Sequence, residues 1–570
     1  MPMNWKIKPR CPLATKLAKE LSISPLFAQL LVNRGIDNKG SAKAFLSPRL
    51  SDMADPRLLS GMDEAVELIC NAISDQEAIT IYGDYDADGL TGAALLYHFF
   101  KQIKVPSRIY VPNRLTEGYG LNERAIEQIA RRRGGVLITV DCGISNMKEV
   151  AVARKLGLKV VITDHHKIPP DSNFLCPTVN PHREDSLYPD QNLAGVGVAF
   201  LLAVAVRSRL REKGYFKNVN EPGLKDLLDL VAIGTIADQV ALIGQNRVFV
   251  RQGLACLKHT KWNGLKALLL ASCVDPQDID PKDIAFRIAP RLNAPGRISS
   301  PNICVRLLID ENTEIIEQLA TEVNRANTVR QRLEQNVLGE IYEAIETDNG
   351  QPSESILVFG REGWHEGVLG IVASRLVDSF CRPALVFTFD GDIAKGSGRS
   401  IEQFDLYEAI SQLESLFERF GGHSHAAGFA LRRKNFLTLK RAISEIALEK
   451  LQDKDLRPVL EIDAEIGFSE ISWNLIKGTE ALAPFGSGNP EPLFCTRSAE
   501  VVEARIVGNK HLKMHLRRDG KVYDAIGFGM GTRKPKVGDC IDIVYTPQLN
   551  HWQGHESIQL RLVDFKSSTI

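Results

Sequence analysis

Three short runs are almost wholly apolar, and each stops on acidic residues: "AITIYGDYDADG" (78–89), "GVLITVDCG" (135–143) and "LKVVITDHH" (158–166). A fourth run, "SRIYV" (107–111), lies between the first two. A strand without a polar face has to be covered on both sides. Helical stretches separate the runs: one after Gly89, one from Asn122 to Arg133, and one from Met147 to Leu156. This alternation predicts a parallel sheet sandwiched by helices, an α/β domain of the doubly wound kind.

Open parallel sheets build their sites beyond the carboxyl ends of the strands, which is where these acids fall. Asp84, Asp86 and Asp88 follow the run that starts at Ala78, Asp141 the run from Gly135, and Asp164, His165 and His166 the run from Leu158. "GTIADQV" adds Asp238 after a helical stretch. A solvated acidic turn explains one such cluster, not three in register. A calcium loop that starts at Asp84 requires Glu at its twelfth position, where this chain has Leu95, and a strand instead of a helix comes first. The remaining reading is a metal centre. Crowded carboxylates repel unless cations neutralise them, and many oxygens with one imidazole favour Mg²⁺ or Mn²⁺ over zinc. Two such ions clamp a phosphoryl oxygen and activate water.

Further along, Ile315, Leu319, Val323, Ala326, Val329, Leu333, Val337, Ile341 and Ile345 recur every three or four residues. They predict one helix of roughly ten turns, about 55 Å long, ended by "TDNGQP" (347–352) and suited to bridging two domains. "SILVFG" and "PALVFTF" predict a second, smaller α/β unit ending near Leu451. Asp519-Gly520 between alternating runs predicts a hairpin, and with "CIDIVYTPQL" and "SIQLRLVDF" a small antiparallel barrel.

The 570 residues carry 70 Lys+Arg against 70 Asp+Glu, so nucleic-acid binding would need a local basic groove rather than a global charge. Ten scattered cysteines without a CxxC pair fit a reducing, cytoplasmic compartment. No run is long enough to span a bilayer, and the first residues lack a signal peptide's apolar core. "AGVGVAF" (194–200) lacks the complete dinucleotide glycine triplet and its acidic partner, and reads instead as the start of a tightly packed helix.

The set "DYDADG … VDCG … TDHH … GTIAD" resembles the DHH phosphoesterase superfamily, and within it the single-strand-specific 5′→3′ DNA exonucleases. "RIAPRLNAPGRI", "GWHEGVLGIVASRL", "KGSGRS", "FGGHSHAAGF" and "PFGSGNPEPLF" extend the resemblance over nearly the whole chain. It implies a lead-in segment (1–50), a parallel-sheet DHH catalytic domain (51–309), a long connecting helix (310–350), a DHHA1-type substrate-binding domain (351–452) and a C-terminal OB-fold β-barrel (453–570). It also implies two divalent ions, with Asp84 and Asp86 holding one and Asp88, His165 and Asp238 the other. Asp141 would bridge them, while Asp164 orients the imidazoles and His166 faces the scissile phosphate.

An enzyme directed to a 5′ end needs a clamp for the terminal phosphate, and arginine suits it. Arg114, Arg297 and Arg399 are the candidates, with Ser397, Gly422 and His423 at the phosphodiester. His423 and His425 lack nearby acids or cysteines for zinc, and His365 falls near the cleft or in helix packing. In the barrel, Lys510, Lys513, Arg517, Arg518, Lys521 and Trp552 are positioned to grip a single strand.

The implied activity is hydrolysis of single-stranded DNA to 5′-mononucleotides in recombination and repair, with a RecQ-type helicase and the single-strand-binding protein as partners. The self-contained chain fits a monomer. The alternatives are a DHH phosphodiesterase for short oligonucleotides or cyclic dinucleotides, and a non-catalytic replication scaffold, which would have lost its acids.

Overall fold

The computed structural model describes residues 3–114, 116–132, 134–346, 354–452, 456–552 and 555–568, apart from the side chains of Glu346 and Trp552. After a short strand β1 (Asn4–Ile7), the catalytic sheet comprises β2 (Ile79–Gly83), β3 (Ser107–Tyr110), β4 (Val136–Val140), β5 (Lys159–Thr163) and β6 (Thr178–Val179). All pairings are parallel, in the order β3-β2-β4-β5-β6. Every residue of β2 and β4 is buried, because helices cover both faces. Helices Ala87–Gln102, Gly195–Glu212 and Leu228–Ala237 build the larger core on one side. Helices Glu123–Arg132 and Met147–Lys155 build the smaller core on the other. The chain runs from β2 outward to β3 and then crosses back to β4, so the strand order reverses between β2 and β4. A crevice opens at such a switch point.

The linking helix runs from Thr313 to Glu346, 34 residues or about 51 Å. Ile316, Leu319 and Val323 enter the catalytic core, while Val337, Ile341 and Ile345 enter a second core with helix Leu369–Phe380. Two positions of the expected stripe differ. Val329 is 40% exposed, and Ile316 is buried where Ile315 was expected, since straight helical periodicity drifts over ten turns. The expected stop at 347–352 lies outside the described residues.

The smaller domain is a mixed sheet of β7 (Leu357–Glu362), β8 (Ala384–Asp390), β9 (Ile393–Arg399), β10 (Phe417–His423) and β11 (Ala426–Arg432), ordered β10-β11-β9-β8-β7. β12 (Val459–Ile462) pairs in parallel with β1. The barrel follows: β13 (Ala464–Glu465), β14 (Phe494–Val507), β15 (His511–Arg518), β16 (Lys521–Gly527), β17 (Cys540–Trp552) and β18 (His555–Ser567). A β14–β17 pairing closes it. It is not wholly antiparallel, as expected from hairpins alone, because β16 pairs with β18 in parallel. Asp519 (φ 50) and Gly520 (φ 72) form the two-residue turn between β15 and β16, with both central residues left-handed as in a type I′ hairpin. The lead-in helices pack into the barrel: Leu17, Leu30 and Leu31 share one core with Phe494, Met514 and Leu560. No described helix is long and apolar enough to cross a membrane.

Candidate metal centre

The switch point gathers the acids. Asp86 caps helix Ala87–Gln102, its Oδ1 accepting from Asp88 N at 2.9 Å and Gly89 N at 3.2 Å. Glycine is required at 89, because a Cβ there would come 2.6 Å from Asp84 N. Asp88 points back from the first turn and accepts from Gly195 N (2.6 Å) and Val196 N (2.9 Å). The start of "GVGVAF" therefore binds a carboxylate with its backbone. Asp141 sits just past β4 at φ 63, a conformation few side-chain-bearing residues adopt.

His165 Nε2 lies 3.1 Å from Asp141 Oδ1, 3.6 Å from Asp238 Oδ2 and 3.9 Å from Asp88 Oδ2. His166 Nδ1 lies 2.7 Å from Asp164 Oδ1. Asp164 also accepts from Ile144 N, His165 N and His166 N, so it fixes the imidazole pair from beneath. Three groups bring ligand atoms within 4.8 Å of one another: Asp84, Asp86 and Asp141; Asp88, His165 and Asp238; and Asp141, His165 and His166.

Burial and mutual repulsion oppose the negative charge. Desolvation, then Asp86, raises Asp84 well above the carboxylate range and lifts Asp88 to about 7. Burial followed by Asp88 and Asp86 raises Asp141 strongly and brings Asp238 to about 9. Burial holds His165 down to about 4, leaving it neutral and able to donate a lone pair to a metal. Burial opposes protonation of His166 as well, but the bond to Asp164 and the charges of Asp164, Asp238 and Asp84 together overcome it and raise it to about 9.

The fit to cations rests on atoms the fold leaves unsatisfied. Asp84 Oδ1, Asp141 Oδ1 and His165 Nε2 are buried and have no hydrogen-bond partner. A buried polar atom without a partner costs about 1–3 kcal/mol. Three of them converging on repelling carboxylates are what divalent ions would satisfy.

Arg114 stacks its guanidinium 5.4 Å from the Tyr85 ring. Arg297 donates to Gly367 O, and Arg399 to Ser397 Oγ and Gly398 O. Burial, then Arg114 and Arg399, lowers Arg297 to about 10, and burial, then Arg114, lowers Arg399. Three neighbouring guanidiniums form a concentrated positive field. Ser397 and Arg399 share a face of β9, and register through β11 puts Gly421 and His423 in the same rows. Gly422 alternates to the other face, at φ 148. His365 caps the turn that meets Arg297, its Nδ1 accepting from Gly367 N. In the barrel Arg517 is tied to Glu500 and Lys513 lies 3.6 Å from Asp524, so neither is an unengaged cation. The Trp552 side chain lies outside the described residues.

Three contributors escaped sequence reasoning. Tyr119 contacts His166 Nδ1 at 3.2 Å and stands edge-on to Tyr85. Asn293 accepts from Ala87 N at 2.7 Å, steadying the start of the Asp86-capped helix. Asn180 donates to His166 O. Only Asn293 lay in a motif already singled out, "RLNAPGR".

Acids and two imidazoles at the switch point of a parallel sheet, facing an arginine cluster, define a metal-dependent phosphoesterase of the DHH class. Family models agree: the N-terminal domain of the DHH family matches residues 78–235, the DHHA1 domain 353–449 and the RecJ OB domain 462–564. The single-stranded-DNA-specific exonuclease RecJ of Bacillus subtilis (strain 168) is 39% identical over 569 residues, covering 99% of this chain and 70% of that relative. The crystal structure of RecJ with Mn²⁺ from Thermus thermophilus superposes at TM-score 0.84 with 29% identity, covering 100% of this chain and 80% of the other. The Mg²⁺ complex from the same organism superposes at 0.77 with 28% identity, covering 100% and 79%. The chain belongs to the RecJ family.

Proposed function

We propose that this protein hydrolyses single-stranded DNA from its 5′ end, releasing 5′-mononucleotides, in recombination and repair. The observation that carries the reading is the metal centre with its three unsatisfied buried ligand atoms, faced by Arg114, Arg297 and Arg399. Asp84, Asp86 and Asp141 would hold one divalent ion, and Asp88, His165 and Asp238 the other, with Asp141 shared. When bound, Mg²⁺ or Mn²⁺ supplies the electrophilic charge that attack of water on a phosphodiester requires. The protein's own groups do the rest. Asp164 occupies one ring nitrogen of His166 and leaves the other to donate to a phosphate oxygen. The arginines clamp a terminal phosphate and so set the 5′→3′ polarity. Ser397, His423 and the backbone at Gly422 line the path of the following phosphodiesters.

We read residues 1–50 as a lead-in segment, 51–309 as the catalytic domain, 310–350 as its link, 351–452 as the substrate-binding domain and 453–570 as the strand-gripping OB-fold. A single-strand substrate implies a RecQ-type helicase and the single-strand-binding protein as partners. Free thiols throughout the described residues support a cytoplasmic setting.

The test incubates 5′- and 3′-labelled single strands, duplex and dinucleotides with Mn²⁺, with and without chelator, alongside Asp141→Ala. The expected result is loss from the 5′ end of single strands alone, abolished by chelator and by the substitution. Preferential digestion of dinucleotides, or loss from the 3′ end, would overturn the reading.

A further inference from the structure

Asp238 lies where three parts of the chain meet. It ends helix Leu228–Ala237, and the loop behind it turns sharply through Gln239 at φ 61. Two restraints act on that loop. Asn246 Nδ2 donates to Ala241 O at 3.0 Å from within the catalytic domain. Leu242 N donates to Ser487 O at 2.8 Å, and Ser487 belongs to the turn 484–490 that leads into β14 of the barrel.

That turn is built as a rigid stop. Gly486 and Asn489 exchange both backbone hydrogen bonds, at 3.0 and 3.1 Å. Fully buried Asn489 donates to Leu482 O and Pro484 O, both at 2.8 Å, and accepts from Arg34 Nε at 2.8 Å. Arg34, from the lead-in segment, also donates to Pro490 O at 2.7 Å and lies 3.6 Å from Asp463. Contact with the Asp238 loop is close: a Cβ on Gly488, at φ +69, would come 2.7 Å from Ala241 Cβ. Beside this contact lies a cavity of about 480 Å³ that loop and turn line together, with Gln239, Val240 and Leu242 from the loop, Phe485 and Ser487 from the turn, and Phe286 opposite. The loop is therefore held against the turn at Ala241 and Leu242 and has open space beside Gln239 and Val240.

We propose that the turn 484–490, latched by Arg34, is a positioning element for Asp238, so that the lead-in and C-terminal parts set the affinity of the metal centre as well as gripping DNA. The proposal rests on Asp238 as a metal ligand. It assigns positioning roles to Gly488, Asn489 and Arg34, which stand outside the ligand set.

The test uses the full chain carrying Gly488→Ala, which drives a methyl onto Ala241. Mn²⁺ binding is measured by calorimetry without DNA, and binding of a 5′-phosphorylated single strand by anisotropy in chelator. Mn²⁺ affinity should fall about tenfold, as when a group supporting a metal ligand is lost. DNA affinity should stay close to wild type while the thermal midpoint falls modestly, because alanine at φ +69 is strained, and Ala241→Gly in the same chain, which removes the methyl contact but not that strain, should recover most of the Mn²⁺ affinity. Gly486→Ala, which presses on Leu242, reads the same coupling should Gly488→Ala fail to fold. Wild-type Mn²⁺ affinity in either folded variant overturns the proposal, as does a loss confined to DNA binding. A wild-type chain that binds Mn²⁺ but digests no single strand would remove the nuclease reading and leave this comparison standing.

Discussion

Asp141 carries conflicting demands. Its backbone is left-handed at φ 63, which costs about 1 kcal/mol or more. Its Oδ1 is buried without a partner, and its charge is opposed first by burial and then by Asp88, Asp86 and Asp84. Such a group destabilises the metal-free protein and is stabilised by cations. Asp141→Asn should therefore leave the metal-free thermal midpoint at or above wild type. It should also remove much of the rise that Mn²⁺ produces, worth about 2.7 kcal/mol for a single site at a hundredfold excess over Kd. Melting curves with and without Mn²⁺ check both; a metal-free midpoint well below wild type would show the carboxylate to be structural. The acids were legible because each ends an apolar run. Gly195 was not: its N–H holds Asp88, and a Cβ there would lie 2.6 Å from Asp141 Cβ. Nothing local in "AGVGV" distinguishes a glycine needed for such an approach from one that merely packs a helix.

Among the elements, helix Ala87–Gln102 joins the site to the scaffold. Its N-terminus carries Asp86 and Asp88, and near its other end His98 donates to Leu308 O at 2.9 Å and stacks on Trp262 at 3.9 Å. Burial holds His98 down to about 4, against an ordinary value of 6.5. The unfolded chain binds the proton more readily, so the stability owed to the neutral ring is whole above about pH 6.5 and is lost as pH falls toward 4. The slope is at most about 1.4 kcal/mol per pH unit. His98→Phe should shrink the drop in thermal midpoint between about pH 7.5 and pH 5; an unchanged drop would assign the acid sensitivity elsewhere. The helix itself was readable as the stretch after Gly89, and the long linking helix from its apolar periodicity. The depth of each residue along the linking helix was not, because Val329 and Ile316 take their burial from which neighbour each turn meets.

For the whole molecule, the lead-in segment is tied to the opposite end of the chain. β1 pairs with β12, and Leu17, Leu30 and Leu31, at most 1% exposed, complete the barrel's core. At about 1.5–3 kcal/mol per buried leucine, deleting residues 1–48 should destabilise the barrel by on the order of 5 kcal/mol. Limited proteolysis should then cut first between 460 and 565 while the parallel-sheet domain resists; an intact barrel in the deletion would refute the shared core. Arg247 strengthens the same junction from the catalytic side, donating to Phe45 O and Ala483 O.

The sequence by itself determined what repeats at short range: apolar strands that must be covered, acids at their carboxyl ends, a helix with one apolar stripe, and an Asp-Gly hairpin. These follow from side-chain periodicity and from conformational preferences confined to a few neighbouring residues. The tertiary structure alone decided which distant backbone groups hold those side chains. It set Gly195 and Val196 on Asp88, Asn293 at Ala87, the turn ahead of β14 against the loop of Asp238, and the lead-in inside the C-terminal core. Contacts between segments hundreds of residues apart arise from packing and hydrogen-bond satisfaction in three dimensions, and one chain's local pattern does not encode them.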